Sequence, residues 1–215
     1  MMRTNFLLLI PVMLCLSASA QNDDIPDYRG KKDFYKKITD KDLRSDLAAF
    51  TLSSLDEALA KEPLEALPLV EYKNNFIRFA NSNTEVTIFA GVFDKTKQKL
   101  LFYDDKYLIK IDNKAFFSAK LGTMPQKTIA SVTIVTGSDT VHLPAAAFSD
   151  LYDPIFCKGN NNSNTSQCNT AVYLSADKKR LYIYMRNSTD GSSGYEVTWI
   201  IQDKQYARRV VDFGF

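Results

Sequence analysis

Hydrophobic and polar positions change their period once along this chain. Between Thr39 and Lys61, the apolar residues Leu43, Leu47, Phe50, Leu55 and Leu59 recur at intervals of three to five, which lays one apolar stripe along a helix. Thr39 or Asp40 supplies a capping oxygen at the start. Ser54-Leu55-Asp56-Glu57 reads as a capping box that restarts the helix after the β-favouring pair Thr51-Leu52. Pro63 and Pro68 close the region, so the pattern predicts a short helical segment over about residues 39–62.

From Leu69 onward the chain turns to short runs rich in Val, Ile, Thr, Phe and Tyr, broken by turn residues every 8 to 12 positions or so, as in all-β domains. The predicted strands are 70–72, 76–80, 85–93, 99–103, 106–111, 114–118, 128–136, 140–143, 171–175, 181–186, 195–202 and 206–213. Asp104-Asp105, Asp112-Asn113, Gly137-Ser138-Asp139 and Asp177-Lys178-Lys179 are the expected tight turns between antiparallel neighbours. Helices of crossover length are missing between successive strands, which argues against parallel pairing. In 195–202, Tyr195, Val197, Trp199 and Ile201 share one face, expected to be core. Glu196, Thr198 and Gln202 share the other, expected to be wet. In 181–185, Tyr182 and Tyr184 alternate with aliphatic residues, and a turn at Asp203-Lys204-Gln205 leads into Tyr206. The expected fold is α+β and mainly antiparallel β: the short helical segment, then an antiparallel sheet or sandwich-like domain ending in a three-stranded meander.

The N-terminus adds a targeting signal. Arg3 is the only charge in residues 1–5, residues 6–16 are apolar, and Ser17-Ala18-Ser19-Ala20 precedes the polar Gln21. That order is a secretory signal peptide cleaved after Ala20. The apolar run is shorter than the roughly 20 residues of a spanning helix. Cys15 follows the bulky Leu14 and precedes Leu16-Ser17-Ala18 rather than a polar tether, so it belongs to the apolar run and not to a lipid-attachment site. The expected organisation is a signal peptide at 1–20, a polar leader at 21–38 and one globular domain over 39–215, exported to the periplasm or secreted, with no transmembrane segment in the mature chain.

Charge and cysteines narrow the picture. The formal charge of +2 falls to about +1 without Arg3, and neither a polybasic run nor an acidic tail is present. Nucleic acid and anionic lipid are therefore poor first choices of partner. Beyond Cys15 only Cys157 and Cys168 remain, an even count that in an exported chain reads as a disulfide around an Asn/Ser/Thr-rich loop. Its loop-closure effect is about 3 kcal/mol. His142 is the single histidine, too few donors beside two cysteines for a zinc site, and the residues imply no metal and no cofactor.

Catalytic signatures are equally sparse. Neither Gly-x-Ser-x-Gly, His-Glu-x-x-His nor a Gly-rich phosphate loop occurs, and His142 lies in a strand pattern with no nucleophile assigned to it. Asp150, Asp153, Glu196 and Asp212 are acids near strand ends and aromatic neighbours, from which a glycosidase-like pair would have to come. The segment 187–194 lacks the spacing of a calcium loop and reads as a hairpin loop in which Gly191 and Gly194 permit positive φ. Asn161, Asn164 and Asn187 head glycosylation sequons.

One constellation has binding character: Tyr182, Tyr184, Tyr206, Arg208 and Arg209 in the meander, since Tyr and Arg are enriched at protein interfaces. The alternative is that these tyrosines cover a half-buried sheet face beneath the N-terminal helix. The resulting expectation is an exported protein-binding, inhibitory or accessory module whose partner is another extracytoplasmic protein. An envelope-directed hydrolase using a carboxylate pair is the rival, and a structural subunit of an envelope or secretion assembly the third reading.

Overall fold

A computed structural model of the chain describes residues 37–51, 60, 63–158, 167–188 and 194–213. They form helix α1 (Lys41–Ala48) and strands β1 (Glu65–Ala66), β2 (Leu69–Lys73), β3 (Phe76–Ala80), β4 (Thr84–Val92), β5 (Leu100–Tyr103), β6 (Tyr107–Ile111), β7 (Lys127–Thr136) and β8 (Asp139–His142). After these come β9 (Cys157–Lys158), β10 (Gln167–Cys168), β11 (Thr170–Leu174), β12 (Arg180–Ser188), β13 (Gly194–Gln202) and β14 (Gln205–Phe213).

Two five-stranded sheets carry the fold, one ordered β1-β11-β12-β13-β14 and the other β2-β3-β4-β7-β8. Every neighbouring pair in them is antiparallel. Leu181, Ile183 and Met185 of β12 and Val197, Trp199 and Ile201 of β13 share one core with Ile77, Phe79, Val86, Ile88, Val132 and Ile134 of the second sheet. The alternation seen in the sequence is thus the inner face of a sandwich, each fully buried aliphatic side chain contributing about 1.5–3 kcal/mol. The C-terminal meander forms as expected, with Asp203 and Lys204 at φ 49° and 62° between the paired Gln202 and Gln205. Asp104, Asp105, Asp112, Asn113 and Lys178 also take the left-handed conformation that tight hairpin turns demand.

The outer face of the first sheet departs from expectation. Ile38, Leu43, Leu47 and Ala48 pack on Tyr182, Ile200 and Val210, giving the sheet a second core on the side expected to face water. Glu196 and Thr198 are fully buried, while Gln202 stays exposed. Asp40, not Thr39, caps α1, its Oδ1 accepting from the amides of Asp42 and Leu43 at 3.0 Å each. The described helix ends at Ala48, and the capping box at Ser54-Leu55-Asp56-Glu57 lies outside the described residues.

The expected strand at 114–118 does not form. Lys114 closes a two-residue turn onto Ile111, and Phe116, Phe117 and Ser118 are buried in succession. Phe116 enters a small core with Leu108, Ile111 and Tyr152, whereas Phe117 enters the main one, so the segment threads between two cores and, past Lys114, pairs only through the single bridge of Phe117 to Leu151. Gly194 also serves differently: a Cβ there would lie 2.5 Å from the carbonyl oxygen of Asn187, so close backbone approach requires the glycine. Cys157 and Cys168 oppose each other across β9 and β10 and are bridged by a disulfide.

Candidate binding cleft

The connection from β8 to β9 is fixed from both sides, and that fixation builds a concave site. Pro144 opens a short 3-10 turn over Ala145–Ala147. From the first sheet, Trp199 Nε1 and Arg209 Nη1 donate to the carbonyl oxygen of Ala147 at 2.8 and 2.9 Å. Asn187 Nδ2 donates to the carbonyls of Tyr152 and Asp153 at 3.0 and 2.8 Å, and the Tyr195 hydroxyl donates to Tyr152 at 3.2 Å. From the opposite side the amides of Gln126 and Lys127 and the hydroxyl of Ser118 donate to the Asp153 carboxylate at 2.7, 2.9 and 2.9 Å. A connecting segment has few ladder bonds of its own, so these buried donors satisfy its carbonyls and set its path.

Between this segment, residues 92–98 and residues 111–116 lies a cleft of about 490 Å³. Its lining includes the buried Ile129, Phe116, Phe148 and Tyr152. The Tyr152 ring meets Phe93 and Phe116 edge-on, at centroid distances of 5.4 and 5.8 Å. Asp94, Lys97, Gln98, Asp112, Lys114, Ser149 and Asp150 supply its polar groups.

Each aspartate is fixed by a different local device. Asp94 caps a short turn, accepting from the amide and hydroxyl of Thr96 at 3.0 and 2.6 Å, and the Thr96 hydroxyl is the main cause that holds its carboxyl below the ordinary range. Lys97 stands 3.3 Å from the other oxygen of Asp94. Asp112 sits in the left-handed turn before Lys114 and accepts from the amide of Lys99 at 2.8 Å. Asp150 takes both guanidinium arms of Arg209, at 2.5 and 2.6 Å. Burial first, then the charges of Asp112 and Asp150, push the Tyr152 phenol up to about 12, so it is a neutral hydroxyl at ordinary pH. The site therefore offers fixed hydrogen-bond acceptors over an aromatic floor, with Lys97 and Lys114 as donors. Among the described residues no group of three or more His, Cys, Asp or Glu side chains is placed to hold a metal ion.

The Tyr/Arg constellation of the meander is not assembled as one exposed face. Tyr182 is fully buried and donates to Asp46 of α1, while Tyr184 is buried with its hydroxyl on Glu196 at 2.8 Å. Tyr206 packs against the inter-sheet core, Arg209 points to Asp150 on that same side, and Arg208 is exposed. Of the acids considered for a catalytic pair, Asp150 alone reaches the cleft. Asp153 anchors backbone, and Glu196 and Asp212 oppose each other across β13 and β14 as buried residues. His142 is exposed on β8, its Nδ1 3.2 Å from the Thr133 hydroxyl. Asn187 is fully buried with its amide engaged, which removes it as a glycosylation acceptor in the folded protein.

Of Asp94, Asp112 and Tyr152, the sequence marks only Asp112, as part of a turn. Only the convergence of three distant segments turns them into a site. Compared with known proteins, the chain matches no family model, no curated protein and no solved structure.

Proposed function

We propose that this is an exported binding protein whose ligand occupies the cleft between residues 92–98, 111–116 and 145–152. The observation that carries the reading is the set of Asp94, Asp112 and Asp150 around one aromatic-floored cavity of about 490 Å³, within the size range of small-ligand sites. Carboxylates held as acceptors suit a ligand rich in hydroxyl or amino donors, and the Phe93, Phe116 and Tyr152 rings suit its apolar faces. Saccharides and amino sugars have both properties. Asp150, with both oxygens on Arg209, and Asp94, held ionised by its cap, are arranged as acceptors rather than as proton donors. That favours binding over glycoside hydrolysis, which needs one protonated carboxyl. Export is supported by the charged, apolar and small-residue order of residues 1–20 and by the Cys157–Cys168 bridge; no described helix is long and apolar enough to cross a membrane.

The test is a thermal-shift screen of neutral saccharides and amino sugars, repeated with Ala115→Trp, which fills the cleft, and Asp112→Ala, which removes one acceptor. A ligand should raise the melting temperature of the parent protein by several degrees, and Ala115→Trp should abolish that rise while keeping the parent circular dichroism. A ligand that stabilises Ala115→Trp as well as the parent, or a panel in which none binds, overturns the reading.

A further inference from the structure

The β5–β6 hairpin and the segment beside it carry a concentration of exposed apolar side chains that neither core explains. Phe102, Tyr103, Tyr107, Leu121 and Met124 are all exposed, Tyr103 and Tyr107 by 51% and 57%. Tyr103 and Tyr107 are direct cross-strand partners. The Tyr107 ring lies over Gly122, where a Cβ would come within 3.2 Å of it, and the amide of Leu108 donates to the Gly122 carbonyl at 3.0 Å. Residues 120–124 therefore run alongside β6, with Gly122 bridged to Leu108 and the exposed Leu121 and Met124 on the same segment.

Charge along this stretch of the chain is mostly positive, although Lys97 is paired with Asp94 and Lys127 reaches the Asn74 carbonyl. Residues 95–127 contain eight lysines, three aspartates and neither arginine nor glutamate, a net of +5, whereas the whole chain carries +2 and its remainder therefore −3. The near-neutral total conceals this segregation. Lys106 and Lys120 are exposed, Lys106 next to Tyr107 in the chain and Lys120 two residues before the Gly122 that the Tyr107 ring covers. Two of the aspartates, Asp104 and Asp105, occupy the hairpin turn itself, and Asp104 lies 3.8 Å from Lys106 Nζ. Acids at the tip disfavour insertion end-on, so the hairpin is suited to lie flat with its tyrosine face down.

We infer that this face docks the protein on an anionic bilayer surface. Tyrosine rings with an apolar body and a polar tip sit at the headgroup level, lysine stems lie along apolar surface with the ammonium in water, and a local positive field draws such a face to acidic lipids. This inference is independent of the ligand proposed for the cleft.

The experiment is flotation of purified protein with vesicles of phosphatidylcholine alone and of phosphatidylcholine with phosphatidylglycerol in equal parts. Its mass must first confirm removal of the apolar run 6–16, so that only the folded part engages lipid. The parent should float with the phosphatidylglycerol vesicles, stay behind with phosphatidylcholine, and be released by raised salt. Lys106→Glu/Lys120→Glu should weaken binding by about tenfold or more. Tyr103→Ser/Tyr107→Ser should weaken it several-fold while keeping the parent circular dichroism, since both rings are more than half exposed. Tyr107→Trp should shift its emission to the blue on the acidic vesicles only. Failure to float, binding unaffected by the tyrosine pair, or equal retention on dextran sulfate beads with no tyrosine dependence would each overturn the lipid assignment. The last outcome would leave a charge-only polyanion site.

Discussion

Tyr182, on the outer face of β12, donates its hydroxyl hydrogen to Asp46 Oδ2 of α1 at 2.6 Å, tying the helix to the sheet through a partly buried carboxylate. Phe50 reinforces this contact, stacking on Tyr173 at 4.6 Å and meeting Tyr182 and Tyr184 at 5.6 and 5.7 Å. These tyrosines therefore hold layers of the fold together.

Replacing them should accordingly cost stability. Tyr182→Phe removes the donor from Asp46 and should destabilise the protein by about 1–2 kcal/mol. Tyr184→Ala empties a buried site and takes the hydroxyl from Glu196, for about 3 kcal/mol. Urea titration followed by circular dichroism measures both. A Tyr184→Ala protein as stable as the parent would contradict its burial.

Asp46 gives the same contact a pH signature. Burial, outweighing the Tyr182 hydrogen bond, raises its carboxyl above the ordinary 3.8. The folded state then holds a proton that the unfolded state has released, so this group's contribution to stability declines as pH rises from 3.8 through the raised value. Asp40 acts oppositely, because the Leu43 amide lowers its carboxyl and its stabilisation is lost on acidification below 3.8. Asp46→Asn should remove the first trend and leave the second, as read from melting temperatures across the carboxylate range.

At alkaline pH the sign is set by tyrosines. Tyr152 is pushed up to about 12, chiefly by burial, and Tyr182 and Tyr195 are raised further, from an ordinary 10.0. Unfolded chains lose these protons first, so stability should fall from pH 10 upward and, for Tyr152, continue falling to about 12. Tyrosinate absorbance should show a late, cooperative step coincident with loss of circular dichroism. Smooth titration of every tyrosine in folded protein would refute the burial of these three.

Arg209 and Asp150 support the cleft wall. Arg209→Ala leaves the Asp150 carboxylate without its forked partner and takes one of two side-chain donors from Ala147, for an expected loss of about 2 kcal/mol. Arg209→Lys should restore only part of this, because an ammonium cannot span both oxygens. Hydrogen exchange should report faster opening at residues 145–153 in both variants, with little change in the strands of the second sheet.

Reduction of the Cys157–Cys168 bridge should lower the melting temperature by removing about 3 kcal/mol of loop-closure restraint. Alkylation of native protein without reductant should label neither of these cysteines, and labelling of both would remove the bridge.

By itself the sequence determined the antiparallel class, eleven of the fourteen described strands to within a residue or two, the hairpin turns and the cysteine pairing, because these rest on short-range physics. A period of two selects a strand face, Asp-Asp or Asp-Asn tolerates a left-handed turn, and the two cysteines beyond the apolar run 6–16 leave one pairing between them. Only the tertiary structure decided what lies against each face. The pattern leaves Tyr182 and Tyr184 either exposed or beneath the helix; α1 packs on that side, and nothing local distinguishes a tyrosine under a helix from one in water. Phe116 and Phe117 resemble a strand but divide between two cores. The cleft was invisible for the same reason. Asp94 and Asp112 each obey a turn rule, and Asp150 is brought to them by buried donors on Asn187, Tyr195, Trp199 and Arg209, residues whose own spacing spells only a sheet.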